Sequence, residues 1–469
     1  MKIQYRILLA GLSAAMLLSS CNIYRNYSRP DEVTTAGMYR DTLSAADTLR
    51  GDTTSMGNLP WQEVFRDPYL QSLIAQGLEH NLDLQTARLR VQEAEASLQA
   101  ARLSYVPSFN LNPNGALSWY ENGRRQWTYQ VPAAASWEVD LFGRLLNSKR
   151  GARAALMQSE AYAQAVRTQV IASVANLYYT LLMLDSQYEV TKETAAKWEE
   201  SVRTMREMKA AGMTNEAGVA QYEGSYYAIE ASLHDLEYSI REAENSLCSV
   251  LGLAPQEITR GSLDNQQLPQ ELAVGVPVQM LSNRPDVRNA EYSLMQSFYA
   301  TNAARSALYP SITLSGSAGW TNNAGIKEMN PGKLLLSAAG SLLQPIFNAN
   351  ANRANLKIAK AQQEESKLAF QQALLNAGAE VNNALTQCQS ARAKTDLRAK
   401  QIEALTRAVE STELLMQHSS TTYLEVLTAQ QSLLSAQLSQ IADQFDEIQG
   451  VVNLYQALGG GRDLTTEEK

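Results

Sequence analysis

Cysteine and histidine are scarce in this chain, with three of each among 469 residues. Cys248 and Cys388 lie in helical sequence at positions that do not correspond between the two repeats described below, so we predict small packing residues rather than a disulfide. The histidines have no cysteine, histidine or carboxylate neighbours at ligand spacing, which predicts no metal site. Nucleophile motifs and glycine-rich phosphate loops are also absent. The sequence therefore predicts a protein that is not an enzyme and needs no cofactor.

A positive net charge is lacking as well. The formal net charge is −8 and there is no basic patch, which argues against a nucleic-acid partner. Charged residues make up 19% of the chain, below the roughly 25% of typical soluble domains. Because the chain is long enough for a large core, this low share predicts that something other than water covers part of its surface.

Long apolar runs are missing beyond the N-terminal region. Two basic residues precede an apolar run at 7–18, which is too short for a membrane span of about 20 residues and predicts a signal peptide over 1–20. The sequence Leu18-Ser19-Ser20-Cys21 resembles a bacterial lipoprotein cleavage box, which implies covalent lipid on Cys21. The alternative is an ordinary secretory signal followed by a chance cysteine. Residues 21–60 then form a polar, lipid-anchored tether.

An internal repeat organises the rest of the chain. Ala100-Ala101-Arg102 and then Pro107-Ser108 return as Ala303-Ala304-Arg305 and Pro310-Ser311 at the same spacing. Two later pairs match as well: Leu141-Phe142 with Ile346-Phe347, and Leu251-Gly252 with Leu458-Gly459. A repeat of this length indicates two copies of one structural unit. We place the first repeat at 61–260, a linker at 261–283, the second repeat at 284–461 and a flexible tail at 462–469.

Each repeat combines a hairpin with a long helix. Alternating apolar and polar residues predict β-hairpins at about 108–141 and about 311–347. The return strand of the second hairpin is apolar on both faces. Stretches that are rich in Ala, Gln, Leu and Glu then predict long helices at about 144–210 and about 350–417. Each helix is on the order of 100 Å long and needs partners along its whole length.

The hairpins fit a membrane sheet if several copies of the chain combine. In hydrocarbon every backbone polar group must be paired, so a membrane sheet has to close into a barrel. One chain supplies four strands, whereas outer-membrane barrels begin at about eight. Trp119, Trp127 and Trp320 lie beside the loops, as in an interfacial aromatic girdle; the alternative is a soluble sheet. Pro132 removes a ladder donor in mid-strand, which we interpret as a seam between subunits.

Several motifs resemble those of the outer membrane efflux factors, the TolC and OprM type. Trp137-Glu138-Val139-Asp140-Leu141-Phe142-Gly143-Arg144 resembles the signature that closes the first hairpin of that family. Arg284-Pro285-Asp286-Val287 resembles the start of its second repeat. Further matches are Tyr27-Ser28-Arg29-Pro30, Tyr423-Leu424-Glu425-Val426-Leu427 and Asn453-Leu454-Tyr455. Together the motifs extend over nearly all of the mature chain.

The resemblance implies an α+β membrane protein. In such a homotrimer, twelve strands, four per chain, form one outer-membrane β-barrel, and the long helices continue it as a periplasmic α-helical barrel. The resemblance also implies the exit duct of a tripartite efflux system, which passively conducts drugs and toxic small molecules. Its partners would be a periplasmic membrane-fusion adaptor protein and an inner-membrane pump, for which the RND type is favoured.

The resemblance places the adaptor-docking residues at two helix-to-helix turns. These residues are Gly212, Met213 and Thr214 in the first repeat and Ser419, Ser420 and Thr421 in the second. The family usually has glycine where Ser419 stands, so the second turn departs from the pattern.

The resemblance also implies a periplasmic gate. Leu424, Thr428 and Gln431 fall at i, i+4 and i+7 and therefore on one face of a helix. OprM-like relatives follow an apolar ring with charged residues, whereas this chain has Thr428 and Gln431. We therefore expect a closed state held more by packing than by salt bridges. The alternative is that this face belongs to the helix core.

Three functions remain open at this point. The first is an efflux duct, the second a type I secretion channel for polypeptides, and the third a non-transporting coiled-coil lipoprotein that spans the envelope. The hairpins and the duplication argue against the third, which needs neither. The lipid anchor and the OprM-like motifs favour efflux over secretion.

Overall fold

The structure is a computed structural model that describes residues 26–31, 33, 55–119, 121, 123, 125–267, 269, 283–321, 334–418 and 422–462. The predicted signal peptide, Cys21 and most of the tether lie outside these residues. Within the described ranges, no helix combines the length and the apolar character needed to cross a membrane. The described residues fall into two compact units, the first drawn from 1–34, 89–160 and 289–372 and the second from 35–88, 161–288 and 373–469.

The described residues form eight α-helices. They are α1 Trp61–Val64, α2 Pro68–His80, α3 Leu82–Leu103, α4 Arg144–Ala210, α5 Glu216–Leu251, α6 Pro285–Ser306, α7 Ala351–Gln417 and α8 Tyr423–Ala457. Helices α4 and α7 have 67 residues each and are on the order of 100 Å long. They occupy the two segments for which the sequence predicts long helices.

One antiparallel sheet lies in the first unit. Its strands are β1 Ser108–Leu111, β2 Asn114–Trp119, β3 Arg125–Val139, β4 Ser311–Thr321 and β5 Leu334–Leu343. Strands β1 and β2 pair with β3 in one register, since Leu111 lies opposite Ala133 and Asn114 opposite Gln130. They are two parts of one outer strand, so the sheet has four strand positions. Strand β3 pairs with β4 and β4 with β5, so the outer strand β1/β2 and β5 are the two edges.

The sheet has one apolar face and one polar face, because neighbouring residues along a strand point to opposite sides. The apolar face carries Phe109, Leu111, Trp127, Val131, Trp137, Leu314, Trp320, Leu336 and Leu342. The other face carries hydroxyl and amide groups, and the Oγ atoms of Ser317 and Ser337 lie 2.7 Å apart on it. Strand β5 follows this division only in part, since Ser337 and Ser341 lie on the polar face opposite Ser317 and Thr313. The prediction that β5 is apolar on both faces therefore holds except at these two serines, because Leu335, Ala339 and Leu343 lie on the same face as they do.

Pro132 does not mark a seam between subunits. It lies in β3, which has strand neighbours on both sides. The missing N–H is tolerated because Pro132 faces the break between β1 and β2, where the Asn112 N–H donates to the Pro132 carbonyl at 3.1 Å. On the other side Pro132 lies opposite Gly319, where an added Cβ would collide with the backbone of Val131 and Pro132.

The second hairpin is shorter than the sequence predicts. The sequence predicts a return strand that ends at about 347, but β5 ends at Leu343. The next residues are Gln344 and Pro345, and proline has no N–H with which to continue a strand ladder.

The first hairpin joins its long helix through the motif residues noted above. The Asp140 carboxylate accepts hydrogen bonds from the N–H groups of Leu145 and Leu146 at 3.1 and 2.8 Å. An acidic group at this position also suits the positive end of a helix. Glu138 forms an ion pair with Arg144. These residues therefore fix the direction in which α4 leaves the sheet.

A segment of the predicted tether docks on α6. The Arg29 guanidinium donates to both carboxylate oxygens of Glu291 at 2.9 and 2.7 Å. The ring of Tyr27 meets that of Phe298 edge to face, with centroids 5.8 Å apart. A bidentate ion pair is geometrically specific, so this segment has a fixed place in the first unit.

In the second unit, α5 and α8 end in the same way. Helix α5 is followed by Gly252 with φ 68°, and the Leu253 N–H donates to the Cys248 carbonyl at 2.8 Å. After α8 comes Gly459 with φ 76°, and the Gly460 N–H donates to the Tyr455 carbonyl at 2.9 Å. These are Schellman motifs, which satisfy the last carbonyls of a helix. The matching glycines of the two repeats thus have one structural role.

Candidate gate and helix turns

The turn between α4 and α5 is closed by glycine. Gly212 has φ 75°, a conformation that L side chains rarely adopt. Its N–H donates to the Lys209 carbonyl at 3.0 Å, and the Met213 N–H donates to the Met208 carbonyl at 2.8 Å. This is again a Schellman motif. The Asn215 side chain then caps α5 by accepting from the Gly218 N–H at 2.9 Å.

The two predicted docking turns differ in what the structure describes. In the first, Gly212 and Met213 are exposed and Thr214 is half-buried, with 61% of Met213 accessible. In the second, Ser419, Ser420 and Thr421 lie outside the described residues. The adaptor-docking role of both turns stays a prediction.

Behind the first turn lies a hydrophobic group that we call the tip cluster. Its buried members are Ala195, Trp198, Val202, Met205, Val219, Tyr222, Ile229 and Leu427. Leu427 is the contribution of α8, so the cluster joins α8 to the α4–α5 pair. Burial, with a smaller effect of Glu413, raises the pKa of Tyr222 to about 12. Its hydroxyl therefore stays protonated, and it donates a long hydrogen bond of 3.5 Å to the Tyr423 carbonyl.

The predicted gate residues lie together on one face of α8. Leu424, Thr428 and Gln431 are not buried, with 48% of Leu424 accessible. The alternative, that this face belongs to the core of the chain, does not agree with these exposures. Thr428 bonds within its own helix, since its hydroxyl donates to the Leu424 carbonyl at 2.8 Å. Gln431 reaches another helix, because its Nε2 donates to the Ser225 Oγ of α5 at 3.2 Å.

The gate face is uncharged. From Val426 to Ala442, α8 contains no Asp, Glu, Lys or Arg. A groove between α5 and α8 is lined by uncharged residues, with small or hydroxyl side chains such as Ser225 and Ser435 beside the larger Ile229, Leu434 and Leu438.

Sequence reasoning assigned the gate to α8 alone and missed its partner on α5. Ser225 is the residue that receives the Gln431 side chain. A signal for it exists, because Gln221, Ser225 and Ser232 recur at helical spacing along one face of α5. The same face of α5 lines the groove.

The described residues give no sign of catalytic or metal chemistry at this site. Among them, no group of three or more His, Cys, Asp or Glu side chains is arranged to hold a metal ion. The side chains that line the gate face are amides, hydroxyls and leucine. Such groups can bind or exclude a solute but offer no strong acid, base or nucleophile.

Comparison with known proteins adds a family match. The family model described as outer membrane efflux protein matches residues 73–253 and 276–460. The cation efflux system protein CusC of Escherichia coli is 27% identical over 457 residues, which cover 95% of this chain and 98% of that protein. The toluene efflux pump outer membrane protein TtgC of Pseudomonas putida is 28% identical over 470 residues, which cover 97% of this chain and 95% of that protein.

Solved structures agree with the family match. A crystal structure of CusC superimposes with a TM-score of 0.83 at 26% identity, covering 94% of this chain and 100% of that one. The open state of the MtrE outer membrane channel of Neisseria gonorrhoeae superimposes with a TM-score of 0.82 at 28% identity, covering 94% and 98%. The similarity therefore extends over both repeats.

Proposed function

The chain belongs to the outer membrane efflux protein family, and we propose that three copies of it form one closed duct that ends an efflux pathway. The prediction of an efflux protein of the outer membrane that is not an enzyme is confirmed by the family and its relatives. The trimer, the closed barrel, the gate and the partners are the parts that we propose.

The observation that carries the trimer is the form of the sheet. Over the described strands it has four positions, one continuous apolar face and two edges without a neighbouring strand. Four strands cannot enclose a barrel, since barrels begin at about eight. In lipid an open edge leaves N–H and C=O groups unpaired at a cost of several kcal/mol each. Three copies joined edge to edge give twelve strands and remove every edge.

The same sheet suggests how the barrel is oriented. Its apolar face would meet lipid, and its hydroxyl-rich face would line the lumen. We further propose that lipid on Cys21 anchors each copy, because two or more acyl chains, at about 0.8 kcal/mol per buried methylene, hold a protein firmly on a membrane. The bidentate pair of Arg29 with Glu291 would then fix the position of the anchored segment on α6.

The gate is proposed to lie at Leu424, Thr428 and Gln431. In a trimer, the three copies of the exposed Leu424 would form an apolar constriction. The hydrogen bond from Gln431 to Ser225 would hold α8 against α5 in the closed state. Because no charged residue lies between Val426 and Ala442, this closure would depend on packing and neutral hydrogen bonds.

The proposed partners follow from the same architecture. A periplasmic membrane-fusion adaptor would dock at the two helix turns, and an inner-membrane pump of the RND type would supply the driving force. Relatives are named for the efflux of cations and of toluene. We propose drugs and other toxic small molecules as the cargo of this chain.

The decisive experiment is a native mass measurement on the mature protein extracted in mild detergent, followed by conductance in a planar bilayer. A trimer that conducts would support the duct, whereas a monomer that survives mild extraction would contradict it. A deletion strain separates the two transport classes. Increased drug sensitivity supports efflux, while loss of a secreted polypeptide with unchanged sensitivity would indicate type I secretion.

The gate has its own test. Gln431→Ala removes the bond between α8 and α5, so we expect a higher open probability in bilayer recordings. Ser432→Ala is a matched control outside the proposed gate, because the Ser432 hydroxyl donates within α8 to the Thr428 carbonyl. An equal effect of the two variants, or no effect of Gln431→Ala, would contradict the proposed closure.

A further inference from the structure

Two large apolar side chains stand almost completely exposed where β5 passes into α7. Ile346 is 94% and Phe347 is 87% accessible, the highest values among the large apolar residues of the described chain. Exposed apolar groups that adjoin one another mark contact sites. The proposed duct alone does not determine which residues contact these two side chains.

The first repeat shows what the matching residues do. Leu141-Phe142 holds the corresponding place between β3 and α4. The ring of Phe142 is stacked on that of Tyr309, with centroids 5.0 Å apart and planes 12° from parallel. Tyr309 closely precedes β4, the strand that pairs with β3. In this way the end of the first hairpin is joined to the start of the second hairpin within one chain.

No described strand follows β5 in the sheet, so Ile346 and Phe347 have no counterpart of Tyr309 within the described sheet. Strand β5 is an edge, and the strand that would follow it by repetition is β1 of another copy. The residue that matches Tyr309 is Val106, since Val106-Pro107-Ser108 repeats as Tyr309-Pro310-Ser311. Val106 is 55% accessible, and an apolar surface continues around it at Leu103, 58%, and Phe109, 76%.

We infer that Ile346 and Phe347 pack against Val106, Leu103 and Phe109 of a second copy of this chain. This contact repeats between copies the junction that Phe142 and Tyr309 make within one chain. It is heterologous, since different surfaces of the two copies meet, and such a contact closes into a ring when the rotation is right. The inference rests on the proposed trimer and names the residues that would join its subunits.

The test is a disulfide cross-link in the full mature chain, by the double substitution Phe347→Cys with Val106→Cys. The two native cysteines of the described chain, Cys248 and Cys388, are buried, so neither competes readily for oxidation. Mild oxidation should give covalent dimers and trimers on a non-reducing gel, and a reductant should remove them. Each single variant should stay monomeric on the same gel.

The pair Phe142→Cys with Tyr309→Cys is the matched control. It should close within one chain and change mobility without linking copies. If native mass shows a trimer and the control closes, but the 347–106 pair does not link copies, the contact is wrong while the trimer stands. If native mass shows a monomer, the proposed duct fails, and the contact with it.

A second variant guards against a cysteine pair that disturbs folding. Phe347→Ala should lower the temperature at which the trimer dissociates, while the circular dichroism of the separated chains stays unchanged. The competing occupant of this site is lipid. A nitroxide attached to the thiol of the single variant Phe347→Cys should be shielded from dissolved oxygen in the assembled protein, and high oxygen accessibility there would overturn the inference in favour of lipid.

Discussion

The two helix pairs α4–α5 and α7–α8 descend from one repeat but are packed differently. Along α4, Thr191, Ala195, Trp198, Val202 and Met205 are buried. Over the matching stretch of α7, residues 398–412, no residue is buried. This stretch of α4 therefore packs in the tip cluster with α5 and Leu427 of α8, whereas residues 398–412 of α7 have no such core in the isolated chain.

Ion pairs join α7 to α8 beside the stretch of α7 that has no buried residue. Arg398 lies 2.9 Å and Lys394 lies 3.3 Å from Asp443, and Arg392 lies 2.8 Å from Glu447. The three basic side chains are 25–46% exposed and the two carboxylates 9–20%, so water partly screens each pair and reduces its contribution to stability. Segments with few buried contacts open at lower free energy than a packed core. Residues 398–412 of α7 should therefore open at a lower free energy than the matching stretch of α4.

The largest expected difference in the free energy of unfolding is between variants of Trp198 and of Leu405, the matching residue of the second repeat. Trp198 is 2% exposed in the tip cluster, so Trp198→Ala should lower the free energy of unfolding by about 3–5 kcal/mol. Leu405 is half-buried, so Leu405→Ala should cost about 1 kcal/mol. Denaturant unfolding followed by circular dichroism, at one protein concentration, would measure both. Equal losses would mean that α7 is packed as tightly as α4 and would contradict the difference in packing between the two helices.

A smaller difference in stability is expected where, in each repeat, a side chain donates a hydrogen bond to a carbonyl at the end of a helix. In the first repeat, the Asn81 side chain donates to the Val250 carbonyl at 2.8 Å. At the matching place in the second repeat, the Arg284 guanidinium donates to the Ala457 carbonyl at 2.8 Å. The matching hydrogen bond is thus donated by an amide in one repeat and by a buried cation in the other.

Loss of the Arg284 side chain should destabilise the protein more than loss of the Asn81 side chain. Arg284→Ala also removes the ion pairs with Asp286 and Glu380, which lie 2.6 Å from the guanidinium. Both carboxylates are about half exposed and can be rehydrated, so we expect a loss of about 2–3 kcal/mol. Asn81→Ala should cost about 1–2 kcal/mol, because it also removes the hydrogen bond from the Leu84 N–H. Thermal unfolding of the two variants would compare them, and a greater loss for Asn81→Ala would contradict this order.

Much of the fold could be predicted from local sequence. The long helices follow from composition, and the hairpins follow from alternation. Gly212 and Gly252 marked helix ends because few other residues adopt a positive φ at low cost. The motif around Asp140 also indicated a junction. Each of these features depends on residues that are close in sequence.

The features that sequence reasoning missed depend on residues far apart. Pro132 is tolerated because of its two neighbouring strands. On one side it faces the break between β1 and β2, and on the other side Gly319 lies opposite it. The contact between Ser337 and Ser317 becomes evident only when β5 is placed beside β4. Ser225 was missed because its partner, Gln431, belongs to the other repeat. Pairings of this kind are set by tertiary register, which no local pattern specifies.

The smallest expected difference lies at the first residues of α5 and α8. Asn215 caps α5 with its side chain, whereas Thr422, which precedes α8, makes no side-chain capping bond. Asn215→Ala should therefore cost about 1 kcal/mol and increase hydrogen exchange in the first turn of α5, while Thr422→Ala should leave the first turn of α8 nearly unchanged. Equal effects in the assembled protein but not in separated chains would show that α8 gains a cap on assembly. The looser packing of α7–α8 would then be a property of the free chain, and opening of the gate would have to break contacts between copies.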